Sequence, residues 1–319
     1  MRYTRNKNGI TEKKRNKTIK KMNCSPAAKA KRAGPDTCYS KDVLIKIKNA
    51  YNDSHSLKKI KSNNPSIIWT ELKYRMSNCP AEDCWLKEIQ DPVLKKQIDK
   101  FTFAPDKPPD WKKNPNAWLS NYDIENVLKQ YEITHKEFKL LGPSSIDYDT
   151  KLPEEGGKCV WEDLCKLSIS DLKQKGKVKL GIVFNLDKHD EPGSHWVSMF
   201  VDINEAVIFY YDSALNDVPP EITRLKNEII RQGKEIGIHF KYHQNKYEHQ
   251  RTDTECGMYC LFFIITFLTS EIDHPIKSFR KIKHGGGYKI NMKNKISLFM
   301  NRFIDDKYVE KYRNILFNG

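Results

Sequence analysis

Two hydrophobic rhythms divide the chain. Between residues 36 and 104 the apolar positions recur at helical spacing: Val43, Leu44, Ile47, Ala50 and Tyr51 follow Ser40, and Ile67, Ile68, Leu72 and Met76 follow Ser66. Each serine is suited to cap the helix it precedes. Segments 80–90 and 92–102 open on Pro80 and Pro92, a first-turn position where the missing N–H is harmless. The Pro-rich run from Ala104 to Asp110 then breaks the pattern and marks the best domain boundary.

Beyond it the rhythm changes. Ser120 is expected to cap a helix running to about Gln130, and Phe138–Leu141 to form a short strand. A helix is expected over 160–174. Three apolar-rich runs, Val178–Leu186, His195–Asp202 and Ala206–Asp212, predict strands. Ile222, Leu225, Ile229 and Ile230 predict a helix over 219–235, followed by a strand at Ile236–Tyr242. A strongly apolar helix begins near Cys256, weaker helices fill 270–317, and Gly285 to Gly287 reads as a loop. Strands separated by helices define an α+β domain with a mostly buried sheet.

Charge adds a third region. Residues 1–34 carry twelve Lys/Arg against the single acid Glu12, a net +11, which leaves +4 of the chain's +15 for the remainder. Large apolar residues are scarce there, so residues 1–35 are expected to be a disordered basic tail able to contact nucleic acid or direct nuclear import. The expected layout is tail 1–35, helical arm 36–104 and main domain 105–319. With 38% apolar and 30% charged residues, the composition excludes a membrane channel, a collagen-like rod and a wholly disordered chain. The longest apolar run, Met258 to Leu268, is too short to span a bilayer, and the basic N-terminus lacks a secretory apolar core. No membrane partner and no export are expected, and the eight cysteines are therefore expected as thiols, metal ligands or a nucleophile rather than disulfides.

The chemistry gathers in the second half. In Gln250-Arg-Thr-Asp-Thr-Glu-Cys256-Gly257, polar residues lead straight into the apolar helix with Cys256 at the junction. Free N–H groups and the positive end of the helix dipole favour a thiolate there. His195 begins one strand and Asp212 closes the next. If those strands pair antiparallel through a turn at 203–205, the imidazole and the carboxylate become neighbours at one sheet edge.

His195-Trp196, Asp212-Ser213, Gln250 and Cys256-Gly257, in that order and spacing, resemble the SUMO-protease and adenovirus-protease clan of cysteine peptidases. Trp118-Leu119 at a helix start is similar to that clan's substrate-side motif. The resemblance spans about residues 110–270. It is nearest to the polyprotein-processing proteases of large cytoplasmic DNA viruses, of the African swine fever virus type, through Asn185-Leu-Asp187, His195-Trp196, His249-Gln-Arg and Thr254-Glu-Cys-Gly257. That type has Asn where this chain has Asp212, and its oxyanion glutamine stands where this chain has Asp253. Gln250 keeps the SUMO-protease spacing and is preferred.

The resemblance implies a papain-like-related core with a central mixed sheet flanked by helices, and a helical arm before it. It implies Cys256 as nucleophile, His195 as its acid–base partner, Asp212 orienting the imidazole, and the Gln250 amide at the oxyanion. Trp196 and Trp118 would bind substrate, with Trp196 walling a slot that admits Gly-Gly. The implied activity is a viral cysteine endopeptidase cutting structural or core polyproteins at Gly-Gly-X, without cofactor, in the host cytoplasm and the virion. Two alternatives stand beside it: a deconjugase for SUMO-like proteins, and a nucleic-acid-associated virion protein with a relic protease domain. His249 ranks below His195 because no strand pairing gives it an acid. Cys24, Cys38, Cys79 and Cys84 could in principle form a zinc site, but their spacing favours ordinary buried thiols and no metal is assigned. Cys159 and Cys165 read as core thiols, and Cys260 as a residue one turn beneath Cys256.

Overall fold

A computed structural model describes residues 18–272, 283–284 and 287–319, which fall into two compact units. The first comprises Lys31–Thr102 with the residues up to Met22; the second comprises Asn23–Ala30 and Phe103–Gly319.

The first unit is helical, with helices at Lys41–Ser54, Pro65–Arg75 and Pro92–Thr102 and a 3-10 segment at Glu82–Glu88. Ser40 caps the first through Val43 N–H. The second starts one residue before the expected cap. Asn64, not Ser66, accepts from the backbone N–H groups of Ser66 and Ile67, and Pro65 occupies the first turn. The buried Glu82 carboxylate organises this unit by accepting from Thr37 Oγ1, Cys38 N and Trp69 Nε1 at 2.7, 2.6 and 3.2 Å.

Two expectations are corrected here. Residues 18–34 are not a disordered tail: Pro26–Lys31 is helical with Ala28 buried, and Lys20 N donates to Pro80 O at 2.8 Å. The high charge of the whole segment masks this small-residue stretch. Residues 1–17 of that expectation lie outside the described residues. The cysteines also depart from the thiol reading. Cys79 pairs with Cys84, and Cys159 with Cys165, in disulfides with Cα atoms 5.5 and 6.3 Å apart, a reach that short turns provide. With those sulfurs joined, the four-thiolate zinc set cannot assemble. Cys256 and Cys260 remain free.

The second unit is built on a five-stranded mixed sheet: β1 (Phe138–Ser145), β2 (Lys179–Asn185), β3 (Trp196–Asp202), β4 (Val207–Tyr211) and β5 (Lys241–Gln244), in that spatial order. The outer pairs are parallel and the inner pairs antiparallel. Every residue of β3 is buried, and its faces alternate. Trp196 and Phe200 join the cluster around the Cys256–Thr269 helix, while Val197, Met199 and Val201 pack with Ile222 and Ile229 of the Pro220–Glu235 helix on the other face. Helices on both faces of a mixed sheet give the expected α+β class.

The Cys256–Thr269 helix is buried from Cys256 to Leu268, which is why its sequence is apolar all round. Its last carbonyls are met by cations: Lys295 Nζ donates to Phe267 O at 2.7 Å, and Lys179 Nζ to Leu268 O at 3.4 Å.

Elsewhere local turn chemistry overrides apolar pattern. Ile236–Tyr242 is not a strand throughout, because Gly233 O accepts from the N–H groups of Ile236 and Ile238, with Gly237 at φ +75°. That turn ends the helix and delays β5 to Lys241. The helix expected at 160–174 is two short ones, Glu162–Cys165 and Ile169–Gln174, the second recapped by Ser168. Within 270–317, short strands at Glu271–Ile272, Lys283–His284 and Gly287–Lys289 precede helices at Met292–Asn301, Asp306–Glu310 and Arg313–Leu316. Gly287 therefore belongs to a strand, and Gly285 and Gly286 lie outside the described residues. No helix among the described residues is long and apolar enough to cross a membrane.

Candidate active site

The β3–β4 pairing sets Ser198 opposite Tyr211, so the start of β3 and the end of β4 meet at one edge of the sheet. His195 Nε2 lies 2.6 Å from Asp212 Oδ1. The Cys256 thiol is near enough to act electrostatically on the imidazole, and with Nε2 committed to the carboxylate, Nδ1 is the nitrogen left for sulfur. Cys256 opens its helix near this pair, and the N–H groups from Cys256 to Met258 precede the first i→i−4 bond, which Tyr259 N makes to Glu255 O.

The carboxylate is fixed from every side. Asp212 Oδ1 also accepts from Ala214 N at 2.9 Å, and Oδ2 accepts from Asn216 N and Nδ2 at 2.9 and 3.0 Å. Its backbone is gripped by buried Asn245, whose Oδ1 accepts from Asp212 N and whose Nδ2 donates to Asp212 O. Burial alone would raise this acid, but the bonds from His195, Ala214 and Asn216 hold it below the usual carboxylate range. The imidazole responds in kind. Burial would lower it, yet the bond to Asp212 and the nearby Cys256 push it up to about 9.

The loop before His195 is held as firmly. Asn185 Oδ1 accepts from Asp187 N and Ser194 N, and Asp187 accepts from Gly193 N at 3.0 Å and from the Ser194 hydroxyl. Gly193 sits at φ +95°, and a Cβ there would lie 2.9 Å from Asn185 Nδ2, so only glycine fits this turn.

Gln250 arrives from the other side. Its backbone N–H donates to Ser213 O at 2.9 Å, and its Oε1 accepts from the Ser213 hydroxyl at 2.8 Å, which leaves the amide N–H groups to donate elsewhere. The adjacent His249 is structural. Its Nδ1 accepts from Ile304 N, its Nε2 faces Phe299 O, and burial pushes it down to about 4. Cys260 lies one turn below Cys256, wholly buried, with burial pushing its thiol up.

Trp196 is 7% exposed, and its Nε1 donates to Leu119 O at 2.9 Å. Leu119 in turn abuts Gly257, where a Cβ would come within 3.1 Å of the leucine Cβ. Trp118 is 46% exposed at the head of the Asn121–Thr134 helix, which Ser120 and Asp123 close with a reciprocal capping box. The structure therefore gathers His195, Asp212, Gln250 and Cys256, with Trp196 alongside through Leu119. Asp253 has no comparable tie to Ser213 among the described contacts.

Asn245, Asn216 and Ser213 escape sequence reasoning. Asn245 follows β5, whose parallel pairing with β4 carries it beside Asp212. A strand placed at Ile236–Tyr242 hides that register.

A buried imidazole between a carboxylate and a thiol at a helix start is the arrangement a cysteine peptidase uses. Residues 179–304 match the model of the Ulp1 protease family C-terminal catalytic domain, a family of cysteine peptidases. It is homologous to a thiol protease of Acanthamoeba polyphaga mimivirus, 27% identical over 264 residues that cover 74% of this chain and 82% of the relative. It is likewise homologous to the cysteine protease of African swine fever virus, 29% identical over 160 residues, 48% of this chain and 58% of that relative. The corresponding protein of another isolate is known as a SUMO-1 cysteine protease. The crystal structure of the African swine fever virus protease superposes with a TM-score of 0.58 at 20% identity, covering 94% of this chain and 97% of that one, and so shares the fold.

Proposed function

We propose that this chain is a viral cysteine endopeptidase that cleaves structural or core polyproteins after Gly-Gly. The observation that carries this is the His195 imidazole bonded to Asp212, with the Cys256 thiol close by at a helix start.

The chemistry follows from that geometry. With the imidazole protonated, the thiol proton resides on His195 and Cys256 is a thiolate facing an imidazolium. Sulfur attacks the scissile carbonyl carbon. The oxygen takes up the electron pair and is met by the Cys256 backbone N–H and the Gln250 amide. His195 then gives its proton to the departing amine, which leaves an acyl thioester. A water molecule, deprotonated by His195, attacks that thioester, and collapse releases the acid and regenerates the thiolate. Asp212 stays ionised throughout and keeps Nε2–H pinned.

Substrate selection rests on Trp196 and Trp118. An indole packed against the approach to the thiolate leaves height for a backbone and little for a Cβ, so glycine is favoured on the acyl side. A second reading, removal of SUMO-like proteins from lysine, is favoured by the match to the Ulp1 catalytic-domain model. The basic residues 1–17 support an accessory contact with nucleic acid in either case.

One experiment tests the assignment and separates the readings. The purified chain is mixed with short Gly-Gly-X peptides, unfolded polyprotein segments and SUMO–lysine conjugates, and the new termini are sequenced. Cleavage of peptides after Gly-Gly supports polyprotein processing. Efficient SUMO release with peptides untouched would replace it by deconjugation. Failure on all three would leave only the relic reading.

A further inference from the structure

Outside the residues already assigned, one buried side chain links the segment before the nucleophile to the segment before the substrate wall. Arg313, in the Arg313–Leu316 helix, is 4% exposed and lies nine residues past the end of the matched family domain. Its guanidinium forks onto the buried Glu255 carboxylate, Nε to Oε2 at 3.0 Å and Nη2 to Oε1 at 2.8 Å. Glu255 is the residue immediately before Cys256, at the N-cap position of its helix, and Nη2 also reaches Thr254 O at 3.2 Å.

The other side of the same guanidinium holds the segment that leads to Trp118 and Leu119. Nη1 donates to Ala117 O at 3.0 Å and to Pro115 O at 3.3 Å, and Nη2 to Asn116 O at 3.4 Å. Trp111 lies under it, 4.4 Å from ring centre to guanidinium carbon, and its Nε1 donates to Ala117 O as well. From Ala117 the path to the site is two residues: Leu119 O holds Trp196 Nε1, and the Leu119 side chain touches Gly257.

We propose that Arg313 is a positioning residue that fixes the spacing between the Trp196–Leu119 wall and Cys256, and thereby the side-chain size accepted before the cut. This rests on the Gly-Gly reading above. The physical reason is the planar fork. One guanidinium satisfies a carboxylate and several carbonyls in a single rigid geometry, whereas a lysine supplies the same charge from one point and cannot bridge both segments. A slot only as high as a glycine backbone needs such a fixed spacing, because its selectivity is set by the room for one methyl group.

The test reads slot height without relying on turnover. Cys256 is alkylated in the wild-type chain, Arg313→Lys and Glu255→Gln by three reagents: iodoacetamide, a glycyl-glycyl chloromethyl ketone and an alanyl-alanyl chloromethyl ketone. Iodoacetamide needs only the thiolate, and the peptidyl reagents need the slot. In the wild type the diglycyl reagent should react faster than the dialanyl one by roughly tenfold or more, since one excluded methyl group gives about that range and the dialanyl reagent carries two. Arg313→Lys should cut that ratio about threefold or more while iodoacetamide reacts within about twofold of wild type. Glu255→Gln keeps the side-chain shape, so it decides the matter if Arg313→Lys does not fold, and it should move the ratio the same way. An unchanged ratio in the folded variants overturns the proposal. So does an equal slowing of all three reagents, which would mean that Arg313 serves the thiolate and not the slot. A wild-type ratio near one removes the Gly-Gly reading itself, visibly and before any variant is compared, and the proposal falls with it.

Discussion

Replacing Asp212 with Asn isolates what the carboxylate contributes. The change keeps shape and removes charge. In the native site Oδ1 meets the His195 imidazole and Ala214 N–H, and Oδ2 meets two donors of Asn216. An asparagine can keep its oxygen toward His195, but its NH2 then faces the Asn216 donors, and one orphaned buried donor costs about 1–3 kcal/mol. The larger effect is on the imidazole. Holding His195 at about 9 against an ordinary 6.5 represents roughly 3 kcal/mol in favour of its protonated form, supplied by Asp212 and Cys256 together. Because this group is raised, its proton is present through neutral pH and is lost as pH climbs through about 9. The stability that goes with it is complete below about 6.5 and fades over the same upper range. We therefore expect wild-type kcat/KM on a Gly-Gly-X peptide to fall on the alkaline side near 9. In Asp212→Asn that limb should move toward neutrality and the plateau should drop roughly ten- to a hundredfold, about 1.4–2.7 kcal/mol. His195→Ala should cost far more, since it removes both the counter-charge of the thiolate and the acid for the leaving amine. The measurement is a pH–rate series on all three proteins. An alkaline limb unmoved by Asp212→Asn, or equal losses from the two substitutions, would refute this account.

Cys256→Ala should abolish turnover with the thermal midpoint nearly unchanged, while Cys260→Ala retains most activity; peptide cleavage and thermal melts check both. Gln250→Ala should lower kcat by about 10²–10³ with KM little changed, and Ser213→Ala should lower it less, as expected for an oxyanion donor and the hydroxyl that orients it. Deleting residues 1–17 should weaken DNA or RNA binding and flatten its salt dependence, with peptide cleavage intact, which titrations at two salt concentrations would show. His249, held down near 4, binds its proton more readily unfolded than folded. Stability should therefore fall as pH drops from about 6.5 toward 4, and a His249→Gln variant melted across that range should lose part of this dependence.

What the sequence discloses and what it hides divide along a physical line. The strand containing His195 and the helix beginning at Cys256 are legible because continuous apolar runs bounded by polar residues have few other ways to be buried. Antiparallel strands joined by a short turn then place His195 beside Asp212 without further information. The contacts that hold these residues are not legible in the same way. Asn245 depends on a parallel pairing whose register follows from how the preceding helix ends at Gly237. Arg313 looks like one more basic residue in a basic chain, and only the long-range packing against Glu255 and Trp111 sets it apart. Disulfide partners are hidden for a different reason: the compartment argument addresses whether thiols oxidise, whereas Cys79–Cys84 and Cys159–Cys165 follow from local turns that bring the sulfurs together.

The burial of the nucleophile has a consequence for chemistry other than peptide hydrolysis. A thiolate that attacks a carbonyl will also attack an oxidant, and low-pKa cysteines are the usual victims of peroxides and mixed disulfides. Cys256 is only 1% exposed, beneath its own helix start and beside Trp196. If the opening admits only a glycine backbone, as proposed, it also excludes the branched disulfide centre of glutathione disulfide, where the reacting sulfur lies. Peroxide, hardly larger than water, is not excluded. On that reading the resting site is a molecular sieve for oxidative damage: it is shielded from glutathionylation and remains open to stepwise oxygenation at sulfur.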